Sequence, residues 1–271
     1  MQTVSQENHI RTTPAETQLY AMLDIGSNAM KLAICQFPDQ TPCQTVSITE
    51  RITRLNRGLD EEGVVNDLAI RRLIEAAGDL IQVARRNGAK ILGAVGTAAI
   101  RSTTNKMEVL APLFNEYGIR TRILKPREEA AAGFLAVREQ QRLANHLVNG
   151  NRNRPLVTFD LGGRSAEMTF GKESTPDSFA SLELGSSQLF RLAATSDPPV
   201  PAEIDRIRYL VREQLKHVDR PPRDAEVYLI GATATTLAGY VPMLFPKQYG
   251  LESLDYLDRD IIRELVGKLA T

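Results

Sequence analysis

Two short stretches hold the residues best suited to chemistry. YAMLDIGSNAMKLAIC (20–35) and LVTFDLGGRSAEMTFG (156–171) share one pattern: an apolar run, an aspartate, one apolar residue, a glycine, small polar positions and an apolar return. Turns rich in glycine and serine expose backbone N–H groups and hydroxyls that cradle phosphate oxygens, while carboxylates hold Mg²⁺ through oxygen and water ligands. Asp24 with Gly26, Ser27 and Asn28 makes one such set, and Asp160 with Gly162, Gly163, Ser165 and Glu167 makes the other. A third small-residue turn, GATATT (231–236), brings Gly231 and Thr233 to a helix N-terminus, where the dipole favours an anion. One Asp-x-Gly turn is ordinary hairpin chemistry. Two of them with a third loop point to a phosphate site, with Asp24 and Asp160 sharing a metal across a cleft.

The elements that must position these residues alternate strand and helix. Residues 19–37 and CQTVSITERITRL open a sheet, and Asn66 caps a helix whose Ile70, Leu73, Ile74, Ala77, Ile81 and Ala84 fall at helical spacing. Gly88 supplies its left-handed exit. KILGAVGT then delivers the chain to Arg101, and IRTRILK leads through Pro126 into the strong helix former REEAAAGFLAVREQQRLANHL. VNGNRNRP (148–155) is the best boundary, after which strands and helices repeat in outline. An internal duplication of one hairpin is the economical reading. It predicts two α/β domains, 19–147 and 148–271, after a polar tail at 1–18 that is expected to be disordered, with the ligand in the interdomain cleft.

Bulk properties exclude several classes. Lys plus Arg and Asp plus Glu each total 33, so no global field argues for nucleic acid or an anionic membrane, and an anion site must be local. Cys35 and Cys43 are the two cysteines and form neither CxxC nor a cysteine–histidine cluster, which suits a reducing cytoplasm. No run reaches the roughly 18 apolar residues of a spanning helix. His9, His146 and His217 are scattered in polar or charged contexts, so carboxylates become the candidates for proton handling.

MLDIGSNAMKL, GLDEEGVV, GTAAIRSTTN, REEAAAGFLAV, FDLGGRSAEM, LELGSSQL and GATATTLAG occur in the order of the motifs of the exopolyphosphatase and guanosine pentaphosphate phosphohydrolase (Ppx/GppA) family, which this sequence resembles from residue 19 to about 250. The resemblance implies two ribonuclease H-like domains of the actin, sugar kinase and Hsp70 superfold. It implies Glu129 as the group that orients and deprotonates the attacking water, and Asp24, Asp160 and Glu167 as the acids around Mg²⁺. Arg101 is implied as a contact to the phosphate chain, with Ser27, Asn28, Gly162, Gly163, Ser165, Gly231 and Thr233 in phosphate-holding loops. The implied substrates are inorganic polyphosphate or guanosine pentaphosphate; a homodimer is left open.

The sequence departs from that pattern. Arg164 stands where a glycine is usual in DIGGGS, and would narrow the cradle, point outward or add a phosphate-binding cation. Ala29 replaces a serine, Gln188 an arginine and Ala232 a glycine. The family's late Gly-Leu-Arg-Glu-Gly run is missing before RDIIRELVGKLAT, so the second domain is read as incomplete. Two rivals follow: an ATP-using kinase or ATPase of the same superfold, and a non-catalytic polyphosphate- or nucleotide-binding relic.

Overall fold

Strict alternation of buried and half-exposed positions makes the first segment a hairpin. Strand β1 (Leu19–Ile25) buries Ala21, Leu23 and Ile25, and β2 (Ala29–Gln36) buries Met30, Leu32 and Ile34, leaving Asp24 and Lys31 on the opposite face. The structure is a computed structural model and describes residues 18–37, 43–147, 154–245 and 259–269. Most of the expected polar tail (1–18) and most of the expected boundary at 148–155 lie outside those residues.

The hairpin is extended by β3 (Gln44–Ile52), β4 (Lys90–Gly96) and β5 (Thr121–Ile123) in the order β3-β2-β1-β4-β5. Strands β1, β2 and β3 are antiparallel neighbours, whereas β4 and β5 are parallel to β1. Helix α1 (Asp67–Arg86) covers the apolar face with Ala69, Leu73, Ala77, Leu80, Ile81 and Ala84. Asn66 caps it as predicted, its side chain accepting from Ala69 N at 2.9 Å, and Gly88 follows at φ 66°. Helix α2 (Ala98–Arg101) and helix α3 (Lys106–Tyr117) complete this half, with Val109 and Leu113 in the same core.

The second sheet repeats the arrangement as β8-β7-β6-β9, built from β6 (Leu156–Leu161), β7 (Ala166–Gly171), β8 (Ser178–Leu182) and β9 (Glu226–Ile230). Here β6 and β7 pair antiparallel, and β6 and β9 parallel. One face packs Phe159, Leu161 and Leu182 towards helices α5 (Ser186–Ala193) and α6 (Pro201–Leu215) through Leu189 and Val211. The other face is covered by α4 (Pro126–Leu147), whose Phe134 and Val137 meet Leu156 and Ile230. Truncating a buried aromatic of this kind costs about 3–5 kcal/mol, so the seat of α4 is firmly set. Asp160 lies on the same face as Leu156 by strand alternation, and α4 therefore brings its first turn to the acidic end of β6.

Helix α7 (Gly231–Leu244) follows β9 without an intervening turn, and helix α8 (Arg259–Leu269) packs against it through Val241, Ile261 and Leu265. The expected small-residue turn is the first turn of α7 itself. Gly231 at φ 87° makes the reversal, and Thr235 and Thr236 return their hydroxyls to Ala232 O at 3.0 and 2.8 Å. Among the described residues no helix is long and apolar enough to cross a membrane.

Candidate active site

The two acidic turns are built alike. Gly26 N donates to Ala29 O at 3.0 Å and Gly162 N donates to Ser165 O at 3.0 Å, so each turn closes with the same bond at the same place. The strand register continues the match, since Asp24 opposes Lys31 across β1 and β2 while Asp160 opposes Glu167 across β6 and β7. Lys31 and Glu167 thus hold equivalent positions with opposite charge.

Both turns line one cavity of about 320 Å³. Its wall includes Asp24, Ser27, Asn28, Glu129, Asp160, Gly162, Gly163, Ser165, Glu167 and Gly231, all expected from sequence, together with Lys31, Thr97, Arg164 and Thr236. The turns touch where Gly163 faces Ser27 and Ser187: a Cβ on Gly163 would come within 3.2 Å of Ser27 Cβ. Thr97 closes the end of β1, its hydroxyl donating to Ile25 O at 3.2 Å.

Burial dominates the electrostatics. It pushes the Asp24 carboxyl up to about 6, with Lys31 opposing and Glu129 and Asp160 adding to the rise. Glu167 is pushed up to about 7, again chiefly by burial, although it accepts hydrogen bonds from Ser165 and Ser181 (3.0 Å from Ser181 Oγ). Burial raises Glu129 and Asp160 as well, the former against Arg101 and the latter against Lys31. Four of the carboxylates lining this cavity, Asp24, Glu129, Asp160 and Glu167, thus repel one another.

The adjacent glutamates of REEA part ways at the start of α4. Glu128 accepts from Lys125 N at 2.8 Å and pairs with Arg122, serving as a helix-start cap. Glu129 faces the cavity, and its Oε2 receives Arg101 Nη1 at 2.6 Å. The same Nη1 donates to Leu124 O at 2.9 Å. Arg101, expected on the phosphate chain, is not among the residues lining this cavity and pairs with Glu129 instead. Thr233, expected in a phosphate loop, also lies off the wall; Thr236, one turn further along α7, lines it instead.

Lys31 is a charged group of the wall that the sequence expectations omit. The offset that aligns Asp24 with Asp160 also aligns Lys31 with Glu167, so the duplicated spacing contained the signal.

Asp24 Oδ1 is buried without a hydrogen-bond partner, and the surrounding carboxylates outnumber the cations at hand. Such a donor set suits a divalent cation. Among the described residues, no three acidic, histidine or cysteine side chains converge tightly enough for direct three-fold coordination.

The Ppx/GppA phosphatase family profile matches residues 34–254. The chain belongs to this family. Among curated relatives of this Ppx/GppA protein, Mycobacterium leprae exopolyphosphatase 1 is 27% identical over 217 residues, covering 80% of this chain and 60% of that one. The guanosine-5'-triphosphate,3'-diphosphate pyrophosphatase of Vibrio cholerae is 29% identical over 167 residues, covering 62% and 32% respectively. Among solved structures, the Aquifex aeolicus Ppx/GppA enzyme aligns over 93% of this chain and 81% of its own at 25% identity, with a TM-score of 0.72. The chain spans little more than half the length of the first curated relatives it matches.

Proposed function

We propose that this Ppx/GppA protein hydrolyses terminal phosphoanhydride bonds, releasing orthophosphate from inorganic polyphosphate or from the triphosphate end of guanosine pentaphosphate. The observation that carries the reading is Glu129, a cavity-facing carboxylate fixed by Arg101 beside two matched phosphate turns. Phosphoryl transfer asks for in-line placement of the nucleophile and compensation of charge more than for covalent chemistry. Glu129 would orient the attacking water and accept its proton at the oxygen that Arg101 leaves available. Backbone N–H groups of the two turns, with Ser27, Asn28 and Ser165, would hold the phosphoryl oxygens, and Lys31 would offset their charge.

Asp24 and Asp160 would hold Mg²⁺, with Glu167 acting through water. The ion, when bound, supplies charge neutralisation for the phosphoryl oxygens.

Phosphate release should be compared across long-chain polyphosphate, guanosine pentaphosphate and ATP, each with and without Mg²⁺. Glu129→Gln is expected to lower release by about 10²–10⁴-fold, the usual share of general-base catalysis, while retaining polyphosphate binding. Glu128→Gln, altering only the helix cap, is expected to keep turnover. Comparable turnover in both variants sinks the assignment of Glu129, and faster release from ATP than from either other substrate sinks the substrate class.

A further inference from the structure

Arg164 occupies, in the second turn, the place that Asn28 holds in the first. Its backbone is firmly placed: Arg164 O accepts from Gly185 N at 2.9 Å, and Gly162 O and Gly163 O accept from Ser186 N and Gln188 N at 2.9 and 3.0 Å. Any Cβ at Gly185 would strike the Arg164 backbone, so the start of α5 lies directly against the turn. The side chain lines the cavity and is half-buried. It makes no hydrogen bond and no ion pair among the described residues.

The charges acting on that guanidinium are Arg191 of α5, which repels it, and exposed Glu183, which attracts it without reaching ion-pair distance. Burial and Arg191 both lower its pKa. Half-buried arginines ordinarily find a carboxylate or carbonyl, because the desolvated charge is otherwise uncompensated. This one is repelled by a second cation, Arg191, and makes no ion pair with a cavity carboxylate among the described residues. The partner that would complete it is an anion, and the planar five-donor fork of arginine matches a phosphate.

We propose that Arg164, assisted by Arg191, forms an anion subsite on the wall of this same cavity that grips a phosphoryl group of a linear polyphosphate further along the chain than the one being cleaved. The proposal rests on the hydrolase reading for the phrase "being cleaved", but its binding content stands apart from turnover. It makes chain length, rather than the terminal phosphate alone, a determinant of affinity.

The test measures equilibrium binding of inorganic triphosphate and of long-chain polyphosphate to the full chain, as wild type, Arg164→Gln, Arg164→Lys and Arg191→Gln. Arg164→Gln is expected to weaken the long chain about tenfold more than triphosphate, the size of one lost charge-assisted contact. Arg164→Lys should restore most of the difference, and Arg191→Gln should reproduce a smaller part of it. An equal loss on both ligands, or no selective loss on the long chain, overturns the subsite. So does failure of lysine to rescue. If the glutamine variant does not fold by thermal melting, the lysine variant and Arg191→Gln decide through the salt dependence of long-chain binding, which should flatten with each lost contact. Phosphate release measured on the same wild-type protein separates the two readings. Length-selective binding without release leaves the subsite standing and removes the hydrolase; release without a length effect of Arg164→Gln does the reverse.

Discussion

Gly231 shows how closely a single residue can be held by the site. It joins β9 to α7 at φ 87°, and a Cβ there would collide with Asp160 Oδ1. Gly231→Ala would both force an L-residue into the left-handed region and press on a cavity carboxylate. We expect it to cost about 1–3 kcal/mol in denaturant unfolding and to reduce phosphate release by displacing Asp160. A variant as stable and as active as wild type would mean that the junction relaxes freely. Other residues were less legible. Arg101 and Glu129 are both recognisable as charged residues near helix starts, but their 2.6 Å contact joins positions 28 apart in sequence and emerges only from the packing of α2 against the start of α4. By its sequence, position 233 belongs to a small-residue turn. It falls instead in a helix, where period 3.6 decides which threonine faces the cavity.

At the scale of elements, the duplicated hairpin was readable because its spacing recurs in full, from the aspartate through the turn to the return strand. The cap and exit of α1 were equally plain, since Asn66 and Gly88 mark its ends by local chemistry. The packing of α4 was not, because its apolar stripe names a face without naming the sheet it will cover. Only the contacts of Phe134 and Val137 with Leu156 and Ile230 reveal that it lies on the second sheet. Strand β5 is three residues where IRTRILK suggests a longer run, being confined between the end of α3 and the start of α4 at Pro126.

Helix α6 carries an element-level prediction. Valine at its N-cap, Val200, has no acceptor to offer, and Glu203 supplies only the reciprocal half of a capping box by accepting from Val200 N at 3.0 Å. Glu203 also takes Thr195 N, Thr195 Oγ1 and Ser196 Oγ, and these bonds pull its carboxyl down to about 2. Because the folded pKa is depressed, its stabilisation is present above the ordinary carboxylate range and is lost as pH falls towards about 2. Glu203→Gln should therefore lower the melting temperature at neutral pH and converge with wild type at the acid end. A pH-independent difference would place the effect elsewhere.

For the whole molecule, the buried carboxylates of the cavity act together. Asp24 and Glu167 are raised rather than depressed, to about 6 and about 7, so their contribution runs the opposite way. It favours folding most at pH below their unfolded values and is lost as pH rises through the folded ones. Without divalent ions, thermal stability should fall between about pH 5 and pH 7.5, and millimolar Mg²⁺ should restore it at the upper end. An apo protein equally stable at both values, or one indifferent to Mg²⁺ at pH 7.5, contradicts this use of the site.

Matched registers also give the molecule something that the proposed polymer substrate lacks. Inorganic polyphosphate reads the same from either end, so any sense of front and back must come from its surroundings. At equivalent positions of two copies of one hairpin stand a lysine and a glutamate, Lys31 and Glu167. One inversion of sign between copies makes the duplicated cradle electrically polar, and a symmetrical chain bound there, as proposed, would acquire a leading end.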